Sequence, residues 1–361
     1  MQRPASLLVK GYDLLYIAVA IIAFGILIAD HEFGHFIAAK LCGVKVNEFA
    51  IGMGPAIIKK QGKETLYALR LLPIGGYCAM EGEDEASEDS RAFTSQSWWK
   101  RLIILVAGAA NNFILGLIIF AVIYSGAVGF YGTTVTSLVD GYKYEEAGLH
   151  TGDEIYSIEG HRTYYYQDIT TYLSRAGDEA DIVVVRDGEK LPLSIKKDHY
   201  TINGQDSYIF GITGRNVIEA TFGEKIKFSC YSAVNVVRMV WMSLGDLFAG
   251  RVKVSDMSGF VGIVSTINEV GQESQTTAIA FENIAYLVAF IAVNLAVMNL
   301  LPIPALDGGR IFFLLINTIA EKIFKKKINP KYEGYIHAAG MVLLLGLMAF
   351  VLVNDVIKIV R

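Results

Sequence analysis

Two histidines four residues apart flank a glutamate in His31-Glu32-Phe33-Gly34-His35. On a helix, positions i and i+4 share one face, so both imidazoles can reach a single metal ion. The carboxylate of Glu32 then sits where it can take a proton from a metal-activated water. This donor set suits Zn²⁺, which in catalytic sites takes three protein ligands and keeps a fourth position open. Two histidines leave the site one ligand short. Asp307, in Asn299-Leu300-Leu301-Pro302-Ile303-Pro304-Ala305-Leu306-Asp307-Gly308-Gly309, is the candidate for the third. Pro302 and Pro304 break a helix there, and the glycines allow a tight turn that can aim the carboxylate inward.

The elements that must position these residues are apolar. Residues 14–39 read as one spanning helix, broken chiefly by the histidine motif itself. Residues 102–126, 282–303 and 335–357 read as three more, each near the ~20 residues that a bilayer core requires. Ionisable groups are costly at that depth, so their presence in the first helix marks a functional site. His31 lies ~25 Å along its helix at 1.5 Å per residue. That brings it level with the inner end of the third helix, where Asp307 falls.

Composition agrees. The chain has 361 residues, of which 53% are hydrophobic and 19% charged, with a mean hydropathy of +0.41. These values point to a protein of the lipid bilayer rather than a soluble globule. A net charge of −4 gives no basis for nucleic-acid binding. Cys42, Cys78 and Cys230 are too scattered for a disulfide framework or a zinc knuckle. His150, His161 and His199 read as surface residues, and His337 as structural. The apolar N-terminus is not expected to be a cleaved signal, since cleavage near residue 30 would cost the motif.

Basic residues suggest an orientation. Nine Lys and Arg lie in 40–101 and six in 304–334, which places both loops in the cytoplasm and both termini outside. Residues 129–281 then lie outside. Residues 226–249 are apolar at helical spacing but carry Arg238 and Asp246, which suits an amphipathic helix on the membrane surface or against the other helices; the basic loop 304–334 favours the interfacial placement over a fifth span.

Two segments look more ordered than loops. Residues 44–80 alternate like strands around glycine turns and read as membrane-associated β-hairpins. The acidic run 81–89 after them reads as a solvated loop. In 129–200, a strand at 135–139, a helix near 167–175, a strand at 181–186, the Asp187-Gly188 turn and a strand at 191–195 suggest an α+β insert. Its Ala147-Gly148-Leu149-x-x-Gly152-Asp153-x-Ile155 pattern resembles a bacterial PDZ domain. The expected organisation is four parts: 1–128, 129–200, 201–281 and 282–361. The fold class is a mainly α-helical membrane protein with four transmembrane helices, β-hairpins and one inserted extracytoplasmic PDZ-like domain.

Taken together, these residues resemble the site-2 protease family of zinc intramembrane proteases, in the bacterial branch of the regulator of sigma-E protease. The likeness rests on His31-Glu32-x-x-His35, Asn299-x-x-Pro302-x-Pro304-x-Leu306-Asp307-Gly308, and Gly52-x-Gly54-Pro55. Pro73-Ile74-Gly75-Gly76-Tyr77, Gly108 with Asn112-Phe113, and the PDZ-like insert extend it over nearly the whole chain. Two features depart from the family: a single PDZ-like unit where some relatives have two, and Ala109 where relatives often have proline. The resemblance implies a Zn²⁺ held by His31, His35 and Asp307, with Glu32 as the base. It implies substrates that are single-span membrane proteins already trimmed outside, such as anti-sigma factors, or remnant signal peptides. A substrate helix hides its carbonyls and must unwind. Pairing against the strand 65–72, with Leu66, Ala68 and Arg70, would hold it extended. Asn294 and Asn299 would bond its freed backbone, or else bond between helices, and Asn112 reads as packing between helices. The competing expectations are a membrane transporter using the same ligands, a scaffold recruiting partners through the PDZ-like unit, and a membrane-anchored zinc protease cutting soluble proteins, which the apolar residues flanking His31 argue against.

Overall fold

The computed structural model of the chain describes residues 14–83, 87–139, 148–202, 205–253, 258–325 and 330–360. Ala147 of the PDZ-like pattern, residues 84–86 of the acidic run and residues 326–329 of the basic loop 304–334 lie outside them.

Four helices are long and apolar enough to cross a membrane: Leu14–Cys42, Trp98–Ser125, Thr277–Asn299 and Gly334–Lys358. They are called α1 (Leu14–Cys42), α2 (Trp98–Ser125), α6 (Thr277–Asn299) and α8 (Pro330–Val360). The third span ends at Asn299 rather than at 303, because Pro302 and Pro304 cannot continue it. The segment expected as a loop after it holds a further helix, α7 (Asp307–Phe324). Asp307 opens that helix, where a carboxylate also favours the exposed amides of the first turn.

The chain divides into two compact units, Met1–Tyr124 with Phe228–Arg361, and Ser125–Lys227. In the first, α1 packs through Leu27 on Ile291 and Ala292 of α6. Its start packs through Tyr16 and Ala20 on α6 and on α5 (Phe260–Glu273). Asp355 of α8 is buried and accepts the N–H groups of Gly259 and Gly262, at 2.9 and 2.8 Å, capping α5 from another helix.

The apolar stretch 226–249 forms α4 (Phe222–Phe248). Its Ala233, Val236 and Val240 are buried against Phe120 of α2 and Val293 and Val297 of α6. Ser232 meets Tyr124 at the end of α2. Val237 and Trp241 share a cavity of about 410 Å³ with Val106 and Phe113 near its start. The helix therefore runs along α2 and α6, antiparallel to α2, so of the two placements the sequence offered, on the membrane surface or against other helices, the packing seen is the second. Its interrupting charges are matched locally: Arg238 bonds Asn235, and Asp246 meets Arg251.

Residues 44–80 fold as β1 (Val46–Gln61) and β2 (Leu66–Met80), each bent into two arms. Residues 48–51 pair with 76–79 on one side and with 66–69 on the other, and 66–70 pair again with 56–61. The bend in β1 falls at Gly52, whose φ of +86° and whose approach to the carbonyl of Leu72 admit no side chain: a Cβ would lie 2.5 Å from that oxygen. Val46, Cys78 and Met80 join Ala38, Ala39, Ile104 and Leu314 in one core, which fixes the sheet to α1, α2 and α7.

The second unit extends beyond the expected 129–200. Its main sheet runs β10 (Arg215–Glu219), β3 (Gly129–Val135), β4 (Glu154–Ile158), β6 (Glu179–Arg186), β7 (Glu189–Lys196), with β5 (His161–Arg162) beside β4. The boundary at 200 fails because β10 returns to pair with β3. A hairpin of β8 (Asp198–Ile202) and β9 (Gln205–Ile209) and the helix α3 (Tyr166–Arg175) complete it. The turn Asp187-Gly188 has φ of +51° and +85°, as a tight connection between β6 and β7 requires. Among the described residues, Asp153 is buried and holds the chain together there. It accepts from the backbone of His150 and pairs with Arg186 at 2.7 Å.

Candidate metal centre

His31 and His35 lie on one face of α1, one helical turn apart. Their Nε2 atoms are 3.2 Å apart. Oδ2 of Asp307 lies 3.1 Å from the first and 3.2 Å from the second. Among the described residues, this is the one group of metal-ligating side chains. A tetrahedral zinc with bonds of 2.0–2.1 Å separates its ligand atoms by roughly 3.3 Å. The three atoms thus form the face of a tetrahedron, and the residues fit the ion.

The helices force this meeting. Gly108 of α2 faces both imidazoles: a Cβ there would lie 2.4 Å from Nε2 of His35 and 2.8 Å from Cε1 of His31. One turn on, Asn111 donates to both the carbonyl and the carboxylate of Asp30, each at 2.8 Å, fixing how α1 is rotated against α2. Asp307 arrives from the break after α6. Gly308 lets α7 start hard against the preceding turn, since a Cβ would lie 2.2 Å from the carbonyl oxygen of Leu301.

The outer nitrogens of the imidazoles are also engaged. Nδ1 of His35 donates to the carbonyl of Ile104 at 2.8 Å, which leaves Nε2 with a lone pair for a metal. Nδ1 of His31 lies 3.4 Å from the amide of Asn299 and 3.5 Å from that of Asn112. Both contacts come from the amide nitrogens, which donate, so here Nδ1 accepts; a metal on Nε2 would put the proton on Nδ1, and an amide would then turn its oxygen to it, as Asn112, whose buried Oδ1 has no hydrogen-bond partner, is placed to do. Asn112 is buried, and the reading of it as mere packing missed this contact. The available signal was its spacing: Asn112 stands four residues after Gly108, on the face that meets the histidines.

The backbone N–H of Cys78 lies near the Glu32 carboxylate. Gly76, two residues earlier on β2, faces the Glu32 side chain, with 3.4 Å from its missing Cβ to Cγ. The sheet thus borders the carboxylate beside the ligands. Burial, and then the charge of Glu32, pushes the thiol of Cys78 up to about 12, so it stays neutral. Cys42, Cys78 and Cys230 are all free.

Other expected site residues are placed differently. Leu66, Ala68 and Arg70 belong to an arm paired on both edges. The expectation that 65–72 offers an open edge is therefore corrected: its backbone donors and acceptors face neighbours already. Arg70 is also spent within the sheet, donating to Glu48, Tyr77 and the carbonyl of Gly54. Asn299 faces His31 rather than open space. Asn294 is half-buried and has no hydrogen bond to the three ligands.

The model of peptidase family M50 matches residues 19–347. A protein of Clostridium acetobutylicum, provisionally named a zinc metalloprotease, is 34% identical over 94% of this chain and 97% of its own length. A protein of Clostridium perfringens with the same provisional name is 35% identical over 95% of this chain and 99% of its own. One of Fusobacterium nucleatum, likewise named, is 33% identical over 94% and 98%.

Proposed function

The chain belongs to peptidase family M50 and is a zinc metalloprotease, and from that premise we propose that it cuts single-span membrane proteins within the bilayer after their outer parts have been trimmed. The observation that carries this reading is the triangle of His31, His35 and Asp307, with sides of 3.1–3.2 Å, built on a helix apolar enough to span a membrane. A soluble-substrate protease has no need to bury its ligands at that depth.

Zinc, held by His31, His35 and Asp307, would supply the Lewis acidity that activates water and polarises the scissile carbonyl. Glu32 takes a proton from the attacking water and later delivers it to the departing amide nitrogen. The N–H of Cys78 lies near the Glu32 carboxylate and favours its charged form. Ile104 holds the His35 imidazole in the tautomer and direction that ligation needs, and the amides of Asn112 and Asn299 flank the outer nitrogen of His31. The apolar walls of α1, α2 and α6 keep bulk water away from the ligands and strengthen each of these contacts.

The substrates suggested by the resemblance to the regulator of sigma-E protease branch are anti-sigma factors and remnant signal peptides. Placement in the inner membrane with both termini outside is supported by the basic loops 40–101 and 304–334. In this reading Ser125–Lys227 is the PDZ-like domain, extracytoplasmic, and filters which substrates reach the site. Strand addition on 66–70 is not part of the proposal.

The test uses purified protein in detergent with a single-span substrate lacking its ectodomain. Wild type and Glu32→Gln are compared for zinc content and cleavage. The proposal expects about one zinc per chain in both and cleavage only by wild type. Zinc without cleavage of any membrane substrate by wild type sinks it.

A further inference from the structure

The turn that delivers Asp307 is held from outside by the last spanning helix. Within Pro302-Ile303-Pro304-Ala305-Leu306, Ala305 adopts φ of +79°, a left-handed conformation that a residue with a side chain rarely takes. Such residues persist where their surroundings over-determine them. Here those surroundings are α8. Its His337 accepts the N–H of Ala305 through Nδ1, at 3.1 Å. One turn along, Gly340 lets the backbone of α8 press on the same segment: a Cβ would lie 2.3 Å from Cβ of Pro304 and 3.0 Å from its carbonyl oxygen. The His337 ring also meets Phe313 of α7, with centroids 5.4 Å apart. One imidazole thus touches the turn before Asp307 and the helix that Asp307 begins.

We propose that His337 is a positioning residue for the metal centre. By accepting the N–H of Ala305 it holds the left-handed turn and sets the direction in which the Asp307 carboxylate enters the ligand triangle. The inference rests on the reading of Asp307 as a ligand. It assigns a role to a spanning helix that contributes no ligand. It also explains why a strained alanine is kept two residues before one: the amide, rotated by the left-handed turn, points at α8 rather than back along α6. In apolar surroundings an N–H without an acceptor is costly, so the turn and the imidazole depend on each other.

The test uses the full chain in detergent. Phenylalanine in H337F keeps a ring and removes the acceptor. Asparagine in H337N places an amide oxygen where Nδ1 stood. A305G makes the left-handed turn free of strain. Zinc retention against a chelator, the visible spectrum of the Co²⁺-loaded protein, and kcat and KM are measured separately. H337F is expected to lose roughly tenfold in metal affinity or kcat, as loss of a supporting partner costs, with KM unchanged and the cobalt bands shifted. H337N, and A305G combined with H337F, are expected to recover most of the loss and the bands. Wild-type retention, spectrum and kcat in H337F overturn the proposal. So does equal thermal destabilisation of H337F and H337N with unshifted bands, which would make the imidazole a packing element only. Should H337F not fold, H337L, which also removes the acceptor, takes its place, and wild-type bands in H337L overturn the proposal equally. D307A separates the two readings. If D307A holds zinc like wild type, the ligand assignment falls and this inference with it. If D307A loses zinc while H337F matches wild type, this inference alone falls.

Discussion

Nδ1 of His35 lies 2.8 Å from the carbonyl oxygen of Ile104, and this bond ties a candidate ligand on α1 to the backbone of α2. A helix carbonyl is normally spent on the amide four residues later, so Ile104 serves two donors. The rotation of α2 against α1 is therefore part of the metal centre, although α2 supplies no ligand.

Gly108→Ala is predicted to damage that centre without touching a ligand. Its Cβ would fall 2.4 Å from Nε2 of His35 and 2.8 Å from Cε1 of His31, so either the rings or the helices must move. Zinc retention should drop at least tenfold, the scale of a lost supporting contact. Chelator competition checks this, with helical content by circular dichroism as the control. Retention equal to wild type would refute it.

Asn112→Ala is predicted to lower metal affinity or kcat by about 10–100-fold, because it removes an amide from the outer nitrogen of His31. Asn299 flanks the same nitrogen at 3.4 Å, so Asn299→Ala alone should cost less than the double variant. A cycle of the four proteins measures this. Strict additivity would mean that the two amides do not share the imidazole.

In the unit Ser125–Lys227, stability is predicted to depend on Asp153. Burial raises its carboxyl, but the Arg186 guanidinium and the His150 amide outweigh that and hold it below the ordinary carboxylate value. A depressed folded value means that the contribution is fully present above about pH 4, where the unfolded group titrates. It is lost as pH falls further, through the folded value. Asp153→Asn should cost about 2 kcal/mol near neutrality and flatten this acid limb. Thermal unfolding from pH 6 to pH 3 tests it. An unchanged acid limb in the variant would count against the pair.

Asp355→Ala should destabilise α5 by about 1–2 kcal/mol, the worth of a lost helix cap, since two amides lose their acceptor. Asp355→Asn keeps an oxygen and should lose less. Zinc content should not change in either, as the site lies elsewhere. Hydrogen exchange at residues 259–263 is the direct measure, and protection equal to wild type in the alanine variant would contradict the prediction.

The four spans were readable because a bilayer imposes a length and a composition that a sequence displays directly. The candidate ligands, which the fold brings together, were readable because i and i+4 is a local relation on one helix, and because a proline break beside Asp307 is visible at once. The path of α4 was not: Arg238 and Asp246 suggested a surface helix, and only packing on Phe120 and Val293 reveals its course. Nor was the arrangement of 44–80. Alternation fixes which residues are strand-like but not which segments pair, and the arm 66–70, expected at an edge, is enclosed on both sides.

What the sequence supplied by itself is the chemistry of the proposal: which side chains are typed and spaced to ligate, which carboxylate stands beside them as the candidate base, and how far along an apolar helix they sit. These follow from residue type and local spacing. The tertiary structure alone decided what holds them: Ile104 and Asn112 from α2, Asn299 from α6, Cys78 from β2, His337 from α8. Each of these contacts joins residues far apart in the chain. Their meeting depends on helix rotation and close backbone approach at glycine, and neither leaves a periodic trace in sequence.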